Sequence, residues 1–586
     1  PDGRSQRAIQ DRVLQLFNSI DETVAGTKAS AEDRLFGYEV GGKFQVVRSS
    51  ADSVRVFNAK TARSCGFLTA IIARDDWDQN ITQATTDAGV LASPSRHALM
   101  QQTRDDRFLE ADMAALVRSA SQPGLGARIA AYVAALISGN YNAEVAPYSR
   151  IRRLPRAHYV RVGPGGMVDS HAYDPLAGGA ASMEPEALHQ FLRQGLIDHV
   201  KQDLAGHDGV IGCEHSSGLD SNAVLGALVH GVGVDPARIH TWSQEGGGEG
   251  IPLENFRPFH RLRPTQCHRF EPGGATGKPS RDQLQQQLAV FGAPAQLGGN
   301  PQAAEQLHHQ GCTLLFSGFG GDQAISHNAA NVPTDLVAQG RWQELKQWMG
   351  GWRSTLKSAV KGSLALHFRP WAINKVMRRS RNFCTSDLLS RTLTPAGRQW
   401  LGADLKNPYP WEIDSYLLLH QSIRQRVMAD WVALRVEEET RMAAFHGITK
   451  AFPLLDERLI AALLQQDPTL FGEKAGQGRL LHRRAFAPFL PPYLRKNPSK
   501  EREPEGGYIQ WESELIQLQK QSLVENLEAM QTWHQAIKGY WDVDAIQRET
   551  EEVLSTNEPT IKELMGRSRA LITMTGISGW WYALES

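Results

Sequence analysis

The sequence predicts an α/β fold built on a parallel sheet, with a mostly helical carboxy-terminal half. Two apolar runs, at 209–212 and 314–316, read as buried strands, and each leads into a turn of Ser and Gly that ends on an acid. From about residue 183 to 330, strand patterns alternate with longer helical patterns, which is typical of βα units in one sheet. Beyond that point the pattern is almost wholly helical, including 411–440.

Composition and charge narrow the class of protein. The chain has 586 residues, of which 41% are hydrophobic and 22% charged. This length suggests more than one domain and an ample core. Lys and Arg number 63, as do Asp and Glu, so the zero net charge argues against nucleic acid as the main partner. Five scattered cysteines without a C-x-x-C pair indicate reduced thiols. No apolar run reaches transmembrane length, so we expect a cytoplasmic protein with no membrane partner.

Two domains are expected. Short strand-like runs at 43–47, 53–57 and 66–73, with helical stretches at 112–119 and 127–138, lie in a first domain over residues 1–175. Small, flexible residues at 174–182 are the best candidate for a linker. A helix start at Pro185 then opens a second domain over residues 183–586.

The turn at 216–221, with the sequence SSGLDS, joins a strand to a helix predicted over 219–230. Such a turn offers backbone N–H groups and the positive end of a helix dipole to a phosphate. Glycine lets the ligand approach closely, and the serine hydroxyls add donors. A carboxylate beside a phosphate requires a cation between them, which favours Mg²⁺. The predicted nucleotide-binding residues are Ser216, Ser217, Gly218, Leu219, Asp220 and Ser221; an ordinary helix start is the alternative.

A second turn, at 317–322 with the sequence SGFGGD, has the same form. Carboxylates at the ends of neighbouring parallel strands meet at the edge where open α/β sheets bind ligands, so Asp220 and Asp322 are predicted to hold Mg²⁺ and to act in catalysis. A plain tight turn is the alternative. The nucleotide-binding residues predicted here are Ser317, Gly318, Phe319, Gly320 and Gly321.

Together these segments resemble the asparagine synthetase-like ATP pyrophosphatases. The first turn resembles the family's S-G-G-L-D-S loop, with Ser217 in place of the first glycine, and the second resembles its S-G-x-G-S-D-E motif. Segment 438–460 resembles the R-x-P-F-L-D stretch, 490–500 the L-P-x-x-(V/L)-x-R-x-x-K segment, and 148–158 the F-x-G-I-x-R-L-P-P-G-H strand that closes the amino-terminal domain. The resemblance spans roughly 140–505 in family order and is specific in combination.

The resemblance implies a degenerate amidotransferase-like (Ntn-type αββα) first domain, followed by an adenine-nucleotide α-hydrolase-like synthetase domain. Asparagine synthetases use a cysteine as the first residue of the mature chain to attack glutamine. Here residue 1 is proline and Cys65 lies in mid-chain, which implies a glutaminase-like domain without its nucleophile; a cysteine upstream of Pro1 remains the alternative. Without ammonia from glutamine, the amine must come from the substrate.

The chemistry that the resemblance implies is adenylation of a carboxylate by ATP and Mg²⁺, followed by attack of an amine that displaces AMP. Lys500 would stabilise the developing charge, with Lys496 as the fallback and a solvated loop lysine as the alternative. The strand predicted at 239–244 would flank the adenine by family analogy, through Thr241, Trp242 and Ser243.

Phe319 departs from two branches of the family. Asparagine synthetases have Glu at this position and β-lactam synthetases have Tyr, and phenylalanine has no polar atom to handle an amine proton. The remaining resemblance is to the macrolactam synthetases of lasso peptides, which join a peptide's α-amine to its own Asp or Glu side chain. That implies a precursor peptide as substrate, with a leader peptidase and a leader-recognition protein as partners.

The helical half offers residues for a peptide cavity, although core packing is the alternative for the tryptophans. They are Trp342, Trp348, Trp352 and Trp371 with Arg378, Arg379 and Arg381. Three other functions stay open: a β-lactam or other small-molecule amide synthetase, a glutamine- or ammonia-dependent asparagine synthetase, and a non-catalytic scaffold that binds peptides.

Overall fold

The computed structural model describes strands within 34–57, 90–91 and 151–172, and then the ranges 181–244, 253–270, 301–367, 392–396, 417–474, 478–496, 507–533 and 535–556, with a few isolated positions. Some expectations from the sequence fall outside these residues. They are Lys500, Trp371, the arginines at 378–381, the linker apart from 176 and 181–182, the strand at 66–73 and the helices at 112–119 and 127–138.

The amino-terminal strands form an antiparallel sheet. Its order is β1-β2-β3-β6-β7, from β1 (Arg34–Val40), β2 (Lys43–Ser50), β3 (Ser53–Phe57), β6 (His158–Val162) and β7 (Val168–Ala172). Two short strands, β4 (Val90–Leu91) and β5 (Ile151–Arg152), pair in parallel. The strands predicted at 43–47 and 53–57 are thus β2 and β3, whereas the αββα layering stays a prediction.

A five-stranded parallel sheet positions the candidate site. Its strands are β8 (Val210–Glu214), β9 (Ile239–Gln244), β10 (Cys267–Phe270), β11 (Cys312–Phe316) and β12 (Thr449–Ala451), in the order β10-β9-β8-β11-β12. The chain steps outward in one direction from β8 and in the other from β11, so the order reverses between these two neighbours. Such a switch point is where open α/β sheets bind ligands. Phe316 pairs with Cys213, so the loops that follow β8 and β11 begin side by side.

Helices account for most of the remaining described chain. They are α1 (Pro185–Leu204), α2 (Leu219–Gly226), α3 (Arg257–His260), α4 (Pro301–His309), α5 (Val332–Ala338), α6 (Trp342–Met349), α7 (Trp352–His367), α8 (Leu419–Val427), α9 (Asp430–Phe445), α10 (Glu457–Leu463), α11 (Leu480–Ala485), α12 (Pro492–Lys496), α13 (Gly507–Ala529), α14 (Gln535–Tyr540) and α15 (Val543–Ser555). Pro185 begins α1 as the sequence predicts. None of the helices in the described ranges is long and apolar enough to cross a bilayer.

Two differences from the predicted elements have physical causes. The helix predicted over 219–230 is α-helical only to Gly226 and continues as a wider π-helical segment, Ala227–Val232. Periodicity cannot distinguish these two forms over so few residues. Strand β12 lies where the sequence predicts almost only helix, because three residues are too short for an alternating pattern and the strand is defined by its pairing with β11.

A buried charge cluster ties α1 to the start of α10. His199 Nδ1 lies 2.8 Å from Asp456 Oδ2, and its Nε2 lies 3.3 Å from Asp203 Oδ2. Asp456 also caps α10, because its Oδ1 accepts a hydrogen bond from the backbone N–H of Arg458. Burial lowers the pKa of His199, but the two carboxylates outweigh burial and the pKa is raised overall. The cluster therefore holds α1 in place most strongly when the imidazole is charged.

Candidate active site

The loop after β8 is closed by its own side chains. Ser216 Oγ lies 2.9 Å from Ser221 Oγ, and it accepts a hydrogen bond from the backbone N–H of Gly218 at 3.1 Å. The backbone N–H of Ser216 donates to Ser221 Oγ. Both hydroxyls that the sequence analysis assigned to a phosphate therefore make hydrogen bonds within the loop, and they shape it. Ser217 is half-buried, and Leu219 packs into the core at the first turn of α2.

Asn222 fixes the carbonyl side of this loop. Its Nδ2 donates to the carbonyl oxygens of Ser216 and Gly218, both at 2.8 Å. Its Oδ1 lies 3.3 Å from His215 Nε2 and 3.0 Å from His260 Nε2. Burial lowers the pKa of His215 to about 4 and that of His260 to about 2, so both rings are neutral near pH 7. The sequence analysis missed this arrangement, since it joins residues through the core rather than along a motif.

The loop after β11 lies directly on the first loop, and its glycines make this possible. A Cβ at Gly318 would lie 2.6 Å from the backbone nitrogen of Ser221, and one at Gly321 would lie 2.2 Å from Asp220 Cγ. Gly320 has a φ of +105°, which favours glycine. The distances at Gly318 and Gly321 are shorter than a side chain could tolerate without a shift. The contact between the two loops therefore requires glycine at both positions.

The structure brings the two predicted acids together. Ser326 Oγ lies 3.0 Å from Asp220 Oδ2 and 3.3 Å from Asp322 Oδ1, within hydrogen-bonding reach of both. His482 Nε2 lies 3.1 Å from Asp220 Oδ1, and Arg479 Nη2 lies 3.3 Å from Asp322 Oδ1. Two basic side chains from 478–496 thus face the paired acids, and no motif in the sequence had indicated either of them.

These acids fit a magnesium ion that is bound together with a triphosphate. Mg²⁺ prefers oxygen ligands and usually takes only one or two carboxylates, filling its other positions with water and phosphate. Asp220 and Asp322, with the Ser326 hydroxyl, supply such oxygens. Within the described ranges, no group of three or more His, Cys, Asp or Glu side chains is arranged to hold a metal alone.

A buried ion network joins the strands on either side of the second loop. Ser317 Oγ donates to Glu214 Oε2 at the end of β8. Lys450 Nζ, on β12, lies 2.5 Å from Glu214 Oε1 and 2.8 Å from Glu439 Oε2 on α9. Burial lowers the pKa of Lys450, but the two carboxylates outweigh it and raise the pKa overall. Glu214 could have been noticed as an acid at a strand end, whereas Lys450 carried no signal in a region that reads as helical.

Phe319 packs among aromatic and cationic side chains. Its ring meets the rings of Trp431 and Phe452 edge-on, at centroid distances of 6.1 and 6.2 Å. Arg435 Cζ lies 4.2 Å from the ring centroid. Nε of Arg435 donates to Glu439 Oε1 at 2.7 Å, which connects Phe319 to the buried network. The Phe319 side chain therefore faces α9.

The other predicted residues are distributed around this edge. Thr241 is buried in β9. The carbonyl of Trp242 accepts a hydrogen bond from the backbone N–H of His215. Ser243 Oγ donates a hydrogen bond to the carbonyl of His268. The end of β9 thus lies beside the first loop. Lys496 is exposed at the end of α12.

The tryptophans predicted to line a peptide cavity fall into two groups by exposure. Trp348 is buried in the core, whereas Trp342 is 51% exposed and Trp352 is 66% exposed. The first is explained by packing, and the other two remain available to a partner or substrate.

The comparisons with known proteins bear on the second half of the chain. Residues 302–580 match the family model described as asparagine synthase. The matched range contains the second loop, β12, α9 and the basic side chains at 479 and 482, and it begins after the first loop. A search of curated proteins finds no match.

Proposed function

Because residues 302–580 carry an asparagine synthase domain, which supports an asparagine synthetase-like, ATP-dependent amide-forming ligase, we propose that this chain is a lasso peptide macrolactam synthetase. It would join the α-amine of a peptide to an Asp or Glu side chain of the same peptide, with release of AMP and pyrophosphate. The observation that carries the proposal is the pairing of Asp220 and Asp322 through Ser326 at the switch point of the sheet.

In the first step, an oxygen of the substrate carboxylate bonds to the α-phosphorus of ATP as the bond to the pyrophosphate oxygen breaks. The first turn of α2 would offer its backbone N–H groups and its positive dipole end to the phosphates. When bound, Mg²⁺ supplies neutralisation of the phosphate charge. Asp220 and Asp322 would hold that ion, while Arg479 adds a positive charge at the same edge.

In the second step, the amine attacks the acyl carbon, AMP departs with the bonding electrons, and the nitrogen gives up a proton. An α-amine has an ordinary pKa of ~7.7–8.0, so a fraction is neutral near pH 7 without a strong base. This suits a site with Phe319 in place of Glu or Tyr. Holding the amine beside the acyl carbon accounts for as much as ~7–11 kcal/mol of the barrier. Lys500 keeps its role from the family resemblance, as the residue that stabilises the developing charge.

The partners proposed with this function are the precursor peptide, a leader peptidase that frees the α-amine, and a leader-recognition protein. Trp342 and Trp352, exposed on α6 and α7, support the presence of a surface for a peptide on the helical half. Aromatic rings of this kind contribute large contact areas to peptide recognition.

Pyrophosphate release tests the proposal. Wild-type protein with ATP, Mg²⁺ and leaderless peptides containing one Asp or Glu should release pyrophosphate and yield a cyclised product smaller by one water. Asp220→Asn and Asp322→Asn should each abolish release, because the amide cannot replace the charge of a carboxylate. Asp542→Asn is the matched control, since Asp542 caps α15 and asparagine caps equally well.

The alternatives give different results in the same assay. Turnover of free aspartate with ammonia or glutamine would point to an asparagine synthetase, and turnover of a small carboxylate alone would point to a small-molecule amide synthetase. No pyrophosphate release with any carboxylate would leave a peptide-binding scaffold. Full activity of Asp220→Asn would remove the assignment of the two acids.

A further inference from the structure

The guanidinium of Arg435 is held in one orientation beside the second loop. Its Nε donates to the buried carboxylate of Glu439, and its Cζ lies over the Phe319 ring, 4.2 Å from the ring centroid. Glu439 also pairs with Lys450, so Arg435 is not the only cation balancing that carboxylate. The Arg435 side chain is 39% exposed, and within the described ranges its terminal nitrogens donate no hydrogen bond. Arg435 is thus a preorganised cation whose two N–H₂ groups have no acceptor among the residues that the structure describes.

The Arg435 side chain lies to one side of the two loops that are proposed to bind the phosphates. Along the edge of the sheet, β9 lies on one side of the switch point and β12 on the other. The two loops that meet at Asp220 lie between them, and Arg479 and His482 face the paired acids there. Phe319 points toward α9 and Phe452, on the β12 side. The end of β9, where the family resemblance puts the adenine, and the Arg435 side chain thus lie on opposite sides of the two loops.

We infer that Arg435, stacked on Phe319, binds the carboxylate of the acidic side chain that is to be activated. A guanidinium pairs with a carboxylate through two parallel N–H···O bonds, and stacking on an aromatic ring keeps its plane fixed. Phe319 would cover the aliphatic stem of that Asp or Glu. This inference rests on the proposed function and adds a specificity-determining residue to it, with Glu439 as its positioning residue.

Peptide binding without turnover tests the inference. The probes are short peptides with a free amino terminus and one internal Glu, with randomised flanking residues, and their twins with Gln; affinities are measured by calorimetry without ATP. Wild-type protein should prefer the Glu peptides. Arg435→Gln should weaken their binding by about ten- to a hundredfold and remove the preference, as expected for loss of a charged hydrogen bond. Arg435→Lys should fall between, since it keeps the charge and loses the fork.

Arg353→Gln is the matched control. Arg353 also lies over an aromatic ring, 5.6 Å from the centroid of Trp352, but on α7, which packs mainly on α5 and α6. Its replacement should leave the preference for Glu unchanged. Binding of ATP with Mg²⁺, followed by thermal shift, should be unaltered in both variants.

The outcomes separate this inference from the proposed function. A preference for Glu that survives Arg435→Gln, an equal loss of ATP binding, or no preference in the wild type would each overturn the role of Arg435, even if pyrophosphate is released. A preference that depends on Arg435, in a protein that releases no pyrophosphate, would overturn the ligase and leave an acidic-peptide site. Absence of binding by either peptide set counts against the site.

Discussion

The backbone of Gly321 lies directly against the carboxyl group of Asp220, so closely that an added Cβ would come within 2.2 Å of both Cγ and Oδ1. The two loops of the candidate site are therefore in contact as well as near each other in the sheet. Asp220 can occupy its position because residue 321 of the second loop has no side chain.

Gly321→Ala should displace the Asp220 carboxylate while leaving the fold largely intact. The new methyl group must push that carboxylate aside, and overpacking of this kind costs about 1–3 kcal/mol. We expect pyrophosphate release to fall roughly tenfold or more, since each ~1.4 kcal/mol lost from the transition state is a factor of ten. Gly351→Ala is the control, because nothing lies within 4 Å of its Cβ position. Equal activity of the two variants would argue against the contact.

Asn222→Asp should loosen the first loop, because it removes the two hydrogen bonds that Asn222 Nδ2 donates. The carboxylate cannot donate to the carbonyls of Ser216 and Gly218, and it would repel both oxygens. It would also raise the pKa values of His215 and His260, so a pH-dependent step should appear that the wild type lacks. The measurement is the KM for ATP between pH 5.5 and 8.5. Asn222→Ala removes the same donors without adding charge, so it should raise KM equally at every pH in this range.

Lys450→Met should destabilise the fold by about 3 kcal/mol, because it removes the buried cation that pairs with the half-buried Glu214 and with the buried Glu439, although Glu439 keeps its pair with Arg435. Chemical denaturation gives the free energy of unfolding. Lys450→Met combined with Glu439→Gln should recover part of the loss, since the buried carboxylate that has lost one of its partners is then neutral. Lys346→Met, at an exposed position of α6, should change little. A double variant less stable than the single one would contradict the network.

The stability contributed by His199 should depend on pH in a defined direction. Its pKa in the folded protein is raised above the ordinary value of ~6.5, so the charged imidazole stabilises the fold fully below that value. The contribution is lost as pH rises through the higher folded-state pKa. Relative to His199→Gln, which cannot be charged, the wild type should lose free energy of unfolding as pH rises from about 6 to 9.

Urea unfolding at several pH values measures this difference. The exposed His309→Gln on α4 serves as the control and should show a constant difference from the wild type. A wild-type advantage over His199→Gln that stays flat, or grows, with rising pH would mean that Asp203 and Asp456 do not hold a charged imidazole.

Elements with a local signal were predictable from the sequence. The strand predicted at 239–244 has the bounds of β9, and the two Ser-Gly turns lie at the ends of adjacent parallel strands as expected. Each of these has apolar residues followed by turn residues within a short window, which is where periodicity is informative. The pairing of Asp220 with Asp322 followed from the rule for sheet edges rather than from any contact visible in the sequence.

The rest of the site depends on contacts between distant parts of the chain. Lys450 meets Glu214 across 236 positions, and Arg479 meets Asp322 across 157. Neither basic residue belongs to a motif that indicates its partner. The hydrogen bonds that the hydroxyls of Ser216 and Ser221 make within their own loop were unpredictable for a related reason. The sequence reveals a donor, but not whether a neighbour two or five residues away already uses it.

The order of the parallel strands also has a consequence for how the protein is made. The strand before Asp220 is synthesised well before the strand before Asp322, with β9 and β10 emerging from the ribosome between them. A nascent chain that ends before Asp322 cannot contain both acids, so a ligand that needs both could not act as a template for the early stages of sheet assembly. A ligand held by both acids could stabilise only a chain in which β8 and β11 have already paired.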